Sequence, residues 1–123
     1  MKKIIYSIGI FLFPFLTFGQ LCNSFYQLGQ DIIGQGEDDS IGFSKSVSLS
    51  GDGNIMAVGS MNNDINGNNA GHVRIYEWNG STWLQKGVDI DGEAEGDYSG
   101  ISVSLSSDGS IVAIGAYNNY ENG

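Results

Sequence analysis

The chain has 123 residues, of which 14 are acidic and 5 basic, with a formal net charge of −9 at pH 7. It lacks the clustered Lys and Arg on which nucleic-acid binding rests. Its single cysteine excludes an internal disulfide framework.

The first residues differ from the rest. Lys2 and Lys3 precede an apolar run from Ile4 to Phe18, and Thr17-Phe18-Gly19 places small residues where signal peptidase reads. This layout predicts a secretory signal peptide over 1–19 and a secreted or cell-surface protein. The run falls short of the roughly 20 residues a spanning helix needs, so no membrane span is expected after cleavage. Leu21 stands before Cys22 where a lipoprotein signal wants a small residue. Cleavage after Gly19 leaves Lys45, Arg74 and Lys86 against all 14 acids, a formal charge of −11. Such a charge suits a soluble extracellular protein or one that takes up divalent cations.

The next elements read as strands. Val47 and Leu49 alternate with Ser46, Ser48 and Ser50, a period of two that predicts a strand with one apolar and one polar face. Gly51-Asp52-Gly53 then signals a hairpin turn. Asn54 to Ser60 is nearly continuously apolar, as in a strand covered on both faces. Met61 to Gly71 is an Asn- and Gly-rich loop. His72 to Trp78 is a third strand, with Val73 and Ile75 on one face and Arg74, Tyr76 and Trp78 on the other. Asn79-Gly80-Ser81 turns the chain, Trp83 to Ile90 is a fourth strand, and Asp91 to Gly100 is an acidic connection.

Then the unit restarts. Ser46 to Asn63 returns at Ser102 to Asn119, with 12 of 18 positions identical at an offset of 56. Upstream the offset is 58: Gly29, Asp31, Ile32, Gly34, Glu37, Asp39 and Gly42 meet Gly87, Asp89, Ile90, Gly92, Glu95, Asp97 and Gly100. Four short strands repeating at this spacing predict an all-β fold of four-stranded antiparallel blades in a β-propeller-like array, about one and a half blades being present. A sandwich gives no reason for internal identity, and a β-solenoid usually has a shorter period. The expected organisation is a signal peptide over 1–19, a first repeat over 20–90 and a second over 91–123 that stops after two strands. The chain therefore reads as a fragment of a longer protein, completed by further blades of the same or another chain.

From Phe43 to Ser60 the sequence resembles the FG-GAP repeats of integrin-type propellers. The Asp52-Gly53 turn and Val73-Arg74-Ile75-Tyr76 are also similar to WD-type blades. More specifically, the chain resembles secreted bacterial repeat proteins with a Ser-Asp-Gly…Ala-Ile-Gly…Gly-His-Val-Arg-Ile-Tyr-Glu-Trp unit. The resemblance implies a propeller and an extracellular adhesion or recognition role, not catalysis. The chain departs from the FG-GAP pattern in two places. Gly59-Ser60-Met61 and Gly115-Ala116-Tyr117 stand where the motif ends in Gly-Ala-Pro. The turns Ser50 to Asn54 and Ser106 to Ser110 each carry one carboxylate, too few for that family's calcium loop.

Two other loops are candidate Ca²⁺ sites. Asn62, Asp64 and Asn66 alternate ahead of Gly67, like the start of an EF-type loop, although Ala70 at the ninth position cannot ligate. The bland reading is an Asn/Gly turn. Asp89, Asp91, Glu93, Glu95 and Asp97 place five carboxylates in nine residues, to be metal-bound or simply solvated. His72 lacks the spaced partners of a zinc motif and is expected to face a neighbouring strand. Trp78, Trp83, Tyr76 and Tyr98 are candidates for a sugar-binding face or for packing between blades. No catalytic constellation stands out. The expected function is a non-catalytic extracellular binding module for a protein or glycan. The alternatives are a calcium-dependent carbohydrate-binding module and an appendage of a larger secreted enzyme.

Overall fold

The computed structural model describes residues 26–43 and 45–120. The leader predicted over 1–19 and Cys22 lie outside the described residues. Seven strands follow in chain order: β1 (Val47–Leu49), β2 (Ile55–Ser60), β3 (His72–Trp78), β4 (Trp83–Gln85), β5 (Ile90–Asp91), β6 (Ser102–Leu105) and β7 (Val112–Gly115). No helix occurs among the described residues, and the all-β expectation is borne out. Strands β1 to β4 form an antiparallel meander in that order, β5 adds to β3, and β6 and β7 make a second antiparallel sheet. Neither sheet closes on itself.

The first three strands lie where their side-chain pattern puts them. β2 is buried at every position but one and pairs with β1 on one side and β3 on the other. β1 carries the expected alternation, but its serine face is the buried one. Ser46 and Ser50 are enclosed while Val47 and Leu49 stay half exposed. The serines are enclosed because each has work there. Ser46 Oγ donates to the Phe43 carbonyl, Ser48 Oγ accepts from the Leu105 N–H, and Ser50 Oγ accepts from the Ile55 N–H.

The fourth strand departs from the expectation of one strand over Trp83 to Ile90. It is split into β4 and β5, both paired to β3. Tyr76 faces Gln85 and Val73 faces Ile90, so five steps on one side match three on the other. The two extra residues leave the ladder as a bulge at Gly87, which takes a φ of 82°, and Val88, which points to solvent.

The two copies fold alike. Val47↔Val58 in the first sheet becomes Val103↔Ile114 in the second, and Leu49↔Met56 becomes Leu105↔Val112. The second copy runs parallel beside the first. The Val103 N–H donates to the Lys45 carbonyl at 3.1 Å and the Gly51 N–H to the Ser107 carbonyl at 2.7 Å. Between them Gly59 is pressed against the Gly100 backbone, where an added Cβ would lie 2.0 Å from the carbonyl oxygen. The core is small: Ile55, Ala57, Val58, Ala70, Val73 and Tyr76 are its buried apolar residues, outnumbered by buried polar ones. Hydrogen-bonded turns therefore carry much of the structure.

Candidate functional site

Most of the repeated polar residues serve the turns. At each hairpin tip a serine hydroxyl donates to an aspartate at 2.6 Å, Ser50 to Asp52 and Ser106 to Asp108. The same carboxylates accept the N–H of Asn54 and Ser110. These donors, the serine hydroxyl foremost, hold both aspartates down at a pKa of about 2. The tips are equivalent, as their place in the two copies predicts.

A second repeated device joins distant segments. The Asp39 carboxylate accepts the backbone N–H groups of Gln35 and Gly36 and, at 3.1 Å, the side-chain amide of Asn63. Burial opposes its charge, but these donors outweigh that and hold its pKa below the usual range. Asp97 makes the equivalent hydrogen bonds in the second copy, accepting from the Ala94 N–H and the Asn119 amide.

Around the first clamp lies an open cleft of about 350 Å³ between residues 35–39 and 62–65. Glu37, Asp38, Asp39 and Asp64 line it, with no lysine or arginine among its walls. A wider groove of about 780 Å³ runs between the two hairpin tips and the far end of β3, past Asp52, Asp108, Trp78 and the Lys86–Glu77 ion pair.

The loop from Asn62 to Gly67 spends its polar side chains internally. Asn62 donates to Ser40 Oγ, Asp64 accepts from the Asn69 N–H, and Asn66 donates to the Gly92 carbonyl. Of the five carboxylates between Asp89 and Asp97, Asp89 and Asp91 come together, and they do so with His72 rather than with Glu93, Glu95 or Asp97. Asp97 is buried in its clamp, while Glu93 and Glu95 stand exposed on the connecting loop.

His72 opens β3 opposite Asp91 and is 1% exposed. Two residues along, the Arg74 guanidinium donates to both oxygens of Asp89, at 3.0 and 2.9 Å. Gln85 adds a 2.7 Å bond to the same carboxylate. The Arg74 fork, foremost among these effects, holds the Asp89 pKa below the carboxylate range, and Asp89 in return raises that of Arg74. Burial and the nearby Arg74 charge push the His72 pKa down, so the imidazole is neutral at pH 7. Sequence reading placed His72 against a neighbouring strand but did not join it to the two aspartates. The signal was the strand pairing, which puts Asp91 across from His72.

The four aromatics do not share one face. Trp78 and Trp83 pack at 5.3 Å against each other, and Gly29 rests on both rings. Tyr76 is buried, and Tyr98 stacks on Tyr117. The chain is thus an all-β protein of paired antiparallel units. No family model, curated protein or solved structure matches it.

Proposed function

We propose that this chain is an extracellular, non-catalytic recognition module, built from blade-type repeats of a propeller-like array and directed to a protein or glycan partner. One observation carries the reading. Serine, aspartate and asparagine side chains shared by the two copies are consumed in holding turns and clamps, while the carboxylates of Glu37, Asp38 and Asp64 line an open cleft beside the first clamp. A scaffold repeated in hydrogen-bond detail is how repeat proteins present a binding surface. The parallel seating of the second unit beside the first fits growth by adding units. So do the half-exposed Val47 and Leu49 and the exposed Ile111, an apolar surface of the kind a further blade covers. The acidic cleft at Glu37, Asp38 and Asp64 is the surface offered to the partner.

The test is a binding screen of the secreted protein on glycan and extracellular-protein arrays, with and without EDTA. Saturable binding that Glu37→Gln with Asp38→Asn weakens supports the reading. Binding to sugars alone that EDTA abolishes favours a calcium-dependent carbohydrate-binding module instead. Turnover of a bound glycan, or an intact Met1 on a cytoplasmic protein, overturns the proposal.

A further inference from the structure

The buried end of β3 holds an unexplained polar atom. His72 Nδ1 is enclosed and has no hydrogen-bond partner among the described residues. It faces Asp89 Oδ2 at 3.8 Å, too long for a hydrogen bond. An unpaired buried acceptor or donor is costly and calls for a partner.

Asp89 has room for one. A carboxylate offers about four lone-pair sites. Arg74 Nε and Gln85 occupy Oδ1, and the Arg74 terminal nitrogen takes one side of Oδ2. The remaining side of Oδ2 faces the imidazole. Asp91 supplies a second carboxylate from β5, held across the ladder from His72, and donor atoms of all three residues lie within 4.8 Å of one another.

We propose that His72, Asp89 and Asp91 form a binding site for a divalent transition metal ion, with Zn²⁺ the best match. Two ligands on a tetrahedral zinc at about 2.0–2.1 Å stand about 3.3–3.4 Å apart. The 3.8 Å gap between His72 and Asp89 closes to that spacing with a shift of a few tenths of an ångström, and the exposed Asp91 carboxylate is free to swing inward. The imidazole nitrogen selects against Ca²⁺ and Mg²⁺, which take oxygen. Arg74 neutralises one aspartate, so the site keeps a net charge of −1 before the ion binds. A bound ion ties β3 to the strand piece beyond the Gly87 bulge, where the ladder is interrupted. The site shares no residue with the acidic cleft and does not depend on the recognition role proposed above.

His72 is the chain's only histidine, so its imidazole ¹⁵N resonances are unambiguous. The experiment titrates the full chain, stripped with a chelator, with ZnCl₂ by calorimetry while following those resonances. The expected result is one equivalent bound, a large shift of Nδ1, a raised Tm, and no displacement by millimolar CaCl₂. Asp91→Asn, at an exposed position, weakens binding by about tenfold or more, and His72→Gln abolishes it. Asp64→Asn leaves binding unchanged. If His72→Gln fails to fold, Asp91→Asn and the resonance shift decide. Absence of binding, an unmoved imidazole, unchanged affinity in Asp91→Asn, or displacement by Ca²⁺ overturns the proposal.

Discussion

Replacing Gly59 with alanine tests how the two units meet. The added Cβ would sit 2.0 Å from the Gly100 carbonyl oxygen, where ordinary contact begins at 3.4 Å. The obstacle is the Gly100 backbone, so no side-chain rotation relieves the 1.4 Å overlap. Overpacking of this kind costs about 3 kcal/mol or more, a large share of the 5–15 kcal/mol that holds a domain, roughly speaking. For a chain of this size that lowers Tm by about 12 °C or more. Two further glycines calibrate the effect. Gly115 is the repeat partner of Gly59, but its Cβ would meet only the Ser102 hydroxyl, which can turn away. Gly53 has open space and a φ of 73°, so alanine there costs only the backbone strain, about 1–2 kcal/mol. Urea and thermal unfolding of Gly59→Ala, Gly115→Ala and Gly53→Ala should rank Gly59→Ala as the most damaging. A Gly59→Ala variant as stable as the parent would refute the close approach of Gly100 to β2.

Two other outcomes follow from the turns. Asp52 and Asp108 titrate at about 2 when folded, against 3.8 for the free side chain. Their contribution is complete above the unfolded value and is lost as pH falls through about 2, so the urea midpoint should drop between pH 4 and pH 2 and drop less in Asp52→Asn/Asp108→Asn. Equal slopes in the two proteins would contradict this. Asp39→Ala should cost about 1–3 kcal/mol, because it removes the acceptor of the Gln35 and Gly36 N–H groups and leaves the buried Asn63 amide only a 3.4 Å contact to Gln35. Asp97→Ala should cost less, since its Asn119 contact is 3.4 Å and half exposed. Denaturant unfolding of the pair measures the difference, and a reversed order would count against the clamp.

Much of the local structure was legible in the residues themselves. The period of two across Ser46 to Ser50, the apolar run after it and the Asp-Gly turns are short-range signals, and β1, β2, β6 and β7 formed where these signals lie. The repeat even foretold that the two hairpins share one register. Tertiary structure decided what depends on partners far along the chain. Which face of β1 is buried followed from Leu105 reaching Ser48, 57 residues away. The split of the fourth strand followed from matching two unequal lengths to one β3. Asp39 met Asn63 across 24 residues, and His72 met Asp89 and Asp91 only through the pairing of β3 with β5. Turn chemistry is written in neighbouring residues, whereas register and the contact between units come from the balance of all pairings at once, which no window of sequence contains.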